Sequence, residues 1–363
     1  MEKIVVEKNE TAPPTKSAVK DIRKMTLAEI QTALVNNGEK GFRAKQIYQW
    51  LWKQSAHSFE EMNNLSKELR NWLSANFVIR PIHIAEKQRS ADGTIKIAFK
   101  LHDGHLVEGV LIPTEDRMTA CISSQVGCSL TCKFCATGYM DRIRNLDAGE
   151  IYDQVVLINR LAQEHYQMNL TNIVYMGMGE PLLNYANVLQ SVEYLTSEEA
   201  GLGMASKRIT VSTAGIAKMI KKLGDDGVKF NLALSLHAAN DTKRNQIMPI
   251  NESNSLENLR EALKYFYQKT KNKVTYEYIV FYKFNDTIQD ADELYRFTRH
   301  LPAKVNVIEY NPIAESNFVN TDGKTLDKFC QYLENKGVVV NVRRSRGKDI
   351  DAACGQLAIK DRK

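Results

Sequence analysis

The sequence predicts an α/β protein: a parallel, barrel-like sheet of alternating strands and helices behind a small helical module. Three observations carry this. After Met118, seven short apolar runs alternate with helical patterns. Between about residues 82 and 112 the hydrophobic period is two, and between 25 and 78 it is that of a helix. The chain has 363 residues, 43% of them hydrophobic. That suffices for one large domain with an appendage, or for two domains.

Residues 1–24 are polar, contain Pro13-Pro14 and read as a flexible tail. Residues 25–78 read as a helical accessory domain. Thr26 with Glu29, and Ser58 with Glu61, have capping-box spacing. Ile47, Trp50 and Leu51, flanked by Tyr48, form an apolar stripe between them. Residues 79–118 read as a β-meander: Ile82–Arg89, Thr94–Leu101 and His105–Ile112, joined by turns at Asp92-Gly93 and Asp103-Gly104. Glu108 lies on the third strand, where a glutamate by itself reads as solvent-facing.

Residues 119–363 form the main domain. Its expected strands are Thr119–Ser123, Asn172–Met176, Arg208–Ser212, Phe230–Ser235, Val274–Phe281, Val305–Glu309 and Val338–Val342. The expected helices start at Asp147, with Glu150 as capping partner, and at Tyr185, Ile216, Leu256, Gln289 and Leu326. The result is six strand–helix units. Unusual polar motifs fall at the carboxyl ends of these strands, the edge where parallel α/β proteins assemble active sites.

Composition narrows the classes. Lys plus Arg number 49 against 43 Asp plus Glu, a net +6, compatible with a polyanionic partner. No run of about eighteen apolar residues exists, so no membrane helix is expected. Met1-Glu-Lys-Ile-Val-Val lacks the apolar core of a secretory signal, and a cytoplasmic location is expected. Six cysteines in such a chain point to metal or redox chemistry rather than a disulfide scaffold.

Half of those cysteines lie close together. Cys128, Cys132 and Cys135 stand four and three apart on one loop. Three thiolates from one loop suit an iron–sulfur cube with one iron left open. Structural zinc, with Cys121 as fourth ligand, is the competing reading, and three unrelated thiols the third. Gly177 and Gly179 frame a tight turn before Glu180-Pro181. Ser235 and His237 read alone as a satisfied core pair, and Asn311-Pro312 as a turn. Cys330, with Leu326, Phe329 and Leu333 at helical spacing, reads as core. Cys354 follows a basic, glycine-containing loop, and basic neighbours favour a thiolate.

Taken together, these strings resemble one family. Cys128-xxx-Cys132-xx-Cys135 with Phe134 looks like the cluster loop of the radical S-adenosylmethionine (SAM) superfamily. Ser123-Ser-Gln-Val-Gly-Cys128, Arg144-Asn-Leu146, Met176-Gly-Met-Gly-Glu-Pro181, Val211-Ser-Thr213, Ser235-Leu-His237 and Asp351-Ala-Ala-Cys-Gly355 resemble the RNA adenine-carbon-2 methyltransferases, dual-specificity enzymes of 23S rRNA and tRNA. The resemblance runs from about residue 25 nearly to the C-terminus. It implies an incomplete, partial TIM-type barrel of six β/α units with a small N-terminal helical domain.

It also implies roles. Cys128, Cys132 and Cys135 would hold a four-iron, four-sulfur cluster. Gly179, Glu180, Ser212, Ser235, Leu236, His237 and Asn311 match SAM-contacting positions. Cys354 would carry the methyl group, Cys121 would be the second reactive cysteine and Glu108 the proton acceptor. The resemblance implies that two SAM molecules would be used per turnover. Cleavage of one gives a radical that takes hydrogen from methylated Cys354, and the carbon radical links protein to adenine. Glu108 would take the ring proton. Cys121 then releases the RNA and leaves a disulfide to be reduced. Expected partners are 23S rRNA and tRNA, a reductant such as flavodoxin and no membrane, with the protein a monomer.

Arg343-Arg-Ser-Arg346 with Lys348, beside Cys354, suits RNA phosphates. Arg43, Lys45 and Lys53 read either as a solvated face or as an RNA-touching surface. Two alternatives stand beside this reading. One is the sister family that methylates carbon 8 of the same rRNA adenine, against which Pro181 after Glu180 counts. The other is a zinc-stabilised RNA-binding protein.

Overall fold

The computed structural model describes residues 19–359 and divides at Arg80 into two compact units. In the first, β1 (Lys20–Asp21) pairs in parallel with β2 (Phe77–Val78), enclosing α1 (Leu27–Asn36), α2 (Arg43–Trp52) and α3 (Lys67–Asn76) in sequence. Ile30, Leu34, Ile47, Leu51, Leu69 and Leu73 supply its core. The Thr26–Glu29 capping box starts α1, with Thr26 N–H donating to Glu29 Oε2 at 2.7 Å. Two expectations change here. Ser58–Glu61 forms a turn, and α3 starts later, where Ser66 Oγ accepts the Leu69 N–H at 3.2 Å. Residues 20–24, assigned to the tail, form β1 and a 3₁₀ turn that buries Ile22. Residues 1–18 lie outside the described residues.

The second unit is organised by one ten-stranded sheet. Its antiparallel part is β3 (His83–Arg89), β4 (Ile95–Lys100) and β5 (Leu106–Thr114), which runs into β6 (Arg117–Cys121). The meander is therefore continuous with the main sheet and not a separate extension. A small pair, β7 (Gln125–Val126) and β8 (Arg144–Asn145), flanks the cysteine loop. The parallel part follows: α4 (Ala148–Tyr166), β9 (Asn172–Tyr175), α5 (Tyr185–Thr196), β10 (Ile209–Thr213), α6 (Ala217–Asp225), β11 (Asn231–Ser235), α7 (Asp241–Ile247), α8 (Leu256–Thr270), β12 (Val274–Ile279), α9 (Ile288–Thr298), β13 (Ala303–Ile308), α10 (Gly323–Asn335) and β14 (Val339–Arg343).

The strand order is β14-β13-β12-β11-β10-β9-β6-β5-β4-β3, with every pair from β6 to β14 parallel. Six crossovers therefore build an open barrel, its edges β14 and β3 unpaired to each other among the described residues. The apolar runs that predicted these strands are the buried ones: Leu232, Ala233 and Leu234 on β11, and every residue of β12. Helix α4 starts with Asp147 N–H donating to Glu150 Oε2 at 2.9 Å. Cys330 is buried on α10 beside Phe329 and Leu333, as its spacing predicts. No helix among the described residues is long and apolar enough to cross a membrane.

Candidate active site

The loop after β7 is held within its cysteine run and just after it. Lys133 N–H donates to Ile247 O at 3.0 Å, and Ala136 N–H to Gly355 O at 2.7 Å. Gly138 packs so tightly under Cys132 that a Cβ would come 2.6 Å from the Cys132 carbonyl oxygen, so only glycine lets the loop close. Phe134, Met248, Phe281 and Tyr310 form an apolar floor against which Cys128, Cys132 and Cys135 pack. All three thiols line one cleft. Burial pushes Cys128 up to about 11, lifts Cys135, and drives Cys132 well above its ordinary value, where the other two cysteines add like-charge repulsion.

The opposite wall is built from strand ends. After β9, Gly179 has φ +93°, and a Cβ there would sit 2.4 Å from Gln125 Cβ. This left-handed turn aims Glu180, 3% exposed, into the cleft. Glu180 Oε1 accepts the Leu182 N–H at 2.9 Å and Oε2 the Ala214 N–H at 2.7 Å. Burial nevertheless raises its pKa. Ser212 and Ser235 meet at 3.3 Å between β10 and β11. His237, at φ +54°, accepts the Ile279 N–H on Nδ1 at 3.2 Å. That bond leaves the ring proton on Nε2. Burial first, then the Arg244 charge, lowers the His237 pKa to about 3, so the imidazole stays neutral. Its ring meets Phe134 edge-on at 4.6 Å.

Two of the expected SAM contacts are placed differently. Leu236 is fully buried and contributes through its backbone, its N–H on Glu277 O at 3.0 Å. Asn311, 2% exposed, donates from Nδ2 to Cys354 O at 3.1 Å, while its Oδ1 is buried without a partner among the described residues.

Cys354 is exposed and lines both this cleft and a second one. Cys121 lies in the second, with Arg117, Arg343, Arg344 and Arg346. The fold thus brings together two thiols separated by most of the main domain. Cys121 is buried at the end of β6, and burial with the Cys354 charge pushes its thiol up to about 12. All six cysteines are free here, so a Cys121–Cys354 disulfide is not part of this structure. The segment around Cys354 is tied on both sides. Gly347 N–H donates to Asp92 Oδ2 at 2.9 Å and Ser90 Oγ to Asp349 Oδ1 at 2.5 Å upstream. Downstream, Thr137 Oγ1 donates to Leu357 O at 2.6 Å and Ala358 N–H to Glu108 Oε2 at 3.0 Å.

Glu108 corrects its sequence reading. It is 1% exposed, faces Lys96 Nζ at 3.7 Å and lines neither cleft. Strand β5 is flanked by β4 and β6, and both faces of its middle are buried. The alternation that puts strand glutamates in water does not apply there.

The sequence reading missed Arg244 and Glu277. Arg244, fully buried on α7, donates to Leu236 O at 3.0 Å, Ala214 O at 2.6 Å and Asn251 Oδ1 at 2.7 Å. It staples the loops after β10 and β11. Helix α7 is short, and no periodicity announced it.

Comparison with known proteins gives the class first. Residues 122–298 match the radical SAM superfamily, and residues 20–79 the ribosomal RNA large subunit methyltransferase N-terminal domain. A radical SAM methyltransferase from Sphaerobacter thermophilus has a matching structure, with TM-score 0.87 and 39% identity over 94% of this chain and 100% of that one. The probable dual-specificity RNA methyltransferases RlmN of Cytophaga hutchinsonii and Christiangramia forsetii are 66% and 56% identical. They cover 94% and 95% of this chain and 93% and 98% of their own lengths. The chain belongs to this dual-specificity RNA methyltransferase family of radical SAM enzymes.

Membership implies a four-iron, four-sulfur cluster and SAM, and the residues fit both. Three thiols lining one cleft, their pKa values raised by burial first and at Cys132 also by Cys135 and Cys128, suit a cationic, thiophilic group. No three His, Cys, Asp or Glu side chains converge on a single-ion site among the described residues. A cube accepts wider spacing, because each thiolate binds a different iron. The four-cysteine zinc reading loses its fourth ligand, since Cys121 lines the other cleft and not this one. The buried Glu180 carboxylate in this cleft suits the ammonium donor of SAM, whereas Asn311, with Oδ1 unpartnered among the described residues, lines neither cleft.

Proposed function

We propose that this protein methylates carbon 2 of adenine in 23S rRNA and in tRNA, through a methylated Cys354 and a transient protein–RNA link. The observation that carries this reading is the position of Cys354, exposed where a thiol-lined cleft meets an arginine-lined one. Adenine carbon 2 is electron-poor and resists an electrophilic methyl donor, so a thiolate that takes the methyl first removes the mismatch. Cys128, Cys132 and Cys135 would hold the cluster, which with SAM supplies one-electron chemistry. Two SAM molecules per turnover, a reductant such as flavodoxin and a monomeric enzyme complete the proposal.

The chain's own residues do the rest. Gly179, Glu180, Ser212, Ser235 and His237 orient SAM from the strand ends, with Leu236 acting through its backbone. Neutral His237 can donate from Nε2 without adding charge. Asn311 holds the Cys354 carbonyl. Arg344 and Arg346 receive RNA phosphates, with the target adenine unstacked to enter. Glu108 accepts the ring proton once its carboxylate exchanges the Ala358 N–H for the substrate. Cys121 attacks the Cys354 sulfur and frees the RNA.

Anaerobic turnover on rRNA fragments and tRNA deuterated at carbon 2 or carbon 8 tests the proposal. Mass spectrometry of the nucleoside should show loss of the carbon-2 deuterium. Loss from carbon 8 instead would assign the chain to the sister chemistry.

A further inference from the structure

Glu277 is 3% exposed inside the parallel sheet. It shares a register with Asn306 on β13 and Asn341 on β14. The three side chains form a polar ladder. Asn306 Nδ2 donates to Glu277 Oε1 at 2.8 Å, and Asn341 Nδ2 to Asn306 Oδ1 at 3.3 Å. Glu277 Oε2 takes Arg343 Nη1 at 3.2 Å. Arg343 stands at the end of edge strand β14, yet this contact turns it back into the barrel. There it lines both clefts beside Cys354.

We propose that Arg343, anchored by Glu277, is a positioning residue for the cysteine pair, the fixed cation that favours the anionic sulfur of Cys121 and aligns it on Cys354. The inference rests on the resolving role given to Cys121 above.

Three observations carry it. A buried carboxylate is costly unless paired, and Arg343 is its ionic partner. An arginine meant for phosphate gains nothing from a buried anion that neutralises it, whereas one meant to hold a fixed position needs it. Among the described residues Arg344 and Arg346 have no carboxylate anchor; Arg346 Nη1 donates to the Asp92 carbonyl at 3.2 Å. The third observation is the environment of Cys121. Burial and Cys354 oppose its ionisation, and Arg343 is the side-chain charge that favours it. The other ionisable groups of this region are Cys135, Arg117, Arg344 and Arg346 around the same cleft, and the Glu108–Lys96 pair on β5 and β4.

The assisted step is a displacement. The Cys121 thiolate attacks Cys354 Sγ and forms the sulfur–sulfur bond. The bond from Cys354 sulfur to carbon breaks, its electron pair goes to that carbon, and the carbon takes up a proton. An external dithiol returns the disulfide to two thiols.

The test isolates that step from radical chemistry. In full-length, cluster-reconstituted protein kept anaerobic, Cys354 is capped as its methyl disulfide with methyl methanethiosulfonate. Attack by Cys121 then expels methanethiol, whose release is followed against pH. C121A should release none. R343M should slow release about tenfold at every pH from 7 to 9, the equivalence of one pKa unit and a factor of ten. R343K should restore most of the rate. Because R343M leaves Glu277 without its ionic partner, the double variant E277M/R343M, which removes both charges, should show the same slowing in a protein with native iron content and circular dichroism. A native release rate across that pH range in either folded variant overturns the inference, even where RNA affinity falls. If the unsubstituted protein releases no more methanethiol than C121A, the resolving role of Cys121 fails and takes the inference with it.

Discussion

Around the cluster-loop cleft, most polar groups are fixed by backbone. Glu180 is held by two amide N–H groups, His237 by the Ile279 N–H, and the intervening loops by Arg244. The second cleft is walled by the end of β6, the edge strand β14 and the C-terminal segment, with four arginines. Its cohesion comes from side-chain ties such as Ser90 to Asp349 and Asp92 to Gly347. The first arrangement suits a small ligand that must sit in one pose; the second suits a large polyanion that must enter and leave. Cys354 lines both, as the proposed methyl carrier must if it is to face its donor and then its acceptor.

If that division is right, C354A should give the largest effect. Methylation should vanish while iron and acid-labile sulfide stay at native levels, because the cluster loop keeps its other ties; retained turnover would break the division outright. C121A should follow, stopping the reaction after substrate has entered. A protein–RNA adduct should appear as a retarded band on denaturing gels, and normal product yield without the band would remove Cys121 from the second cleft's chemistry.

Smaller effects sharpen the first cleft. R244M strips the donor from the carbonyls of Ala214 and Leu236 and should cost about 3 kcal/mol in urea unfolding, the scale for leaving buried acceptors unmet. His237 sets a pH dependence. Its folded pKa, about 3, lies below the ordinary 6.5, so below pH 6.5 the unfolded chain binds a proton that the folded chain refuses. Stability should therefore fall as pH drops from 6.5 towards 3, with a limiting slope of about 1.4 kcal/mol per pH unit from this group. H237N, which tolerates the positive φ, should flatten that slope between pH 5 and 6.5. An unchanged slope would show that the imidazole is not held neutral by burial.

Much of the fold was legible before any coordinates. The apolar runs that became β9 to β14 are short and rich in β-branched residues, and helices such as Tyr185–Thr196 carried clear 3.6-residue periodicity. Local chemistry set the hairpin turns as well: Gly93 and Gly104 both sit at φ +88°. Ser58–Glu61 misled because capping spacing is necessary for a helix start but not sufficient without an apolar stripe behind it. Glu108 misled because alternation reports one covered face, and β5 is covered on both.

By itself, the sequence determined which residues have reactive chemistry and the order in which strands and helices form, because thiols, glycine turns and hydrophobic period are local properties. Only the tertiary structure decided that Cys121 and Cys354 share one cleft, that Arg343 is tied to Glu277, and that Glu108 grips the segment after Cys354. Those are meetings between residues far apart in the chain. They depend on sheet order and register, which short-range pattern does not encode.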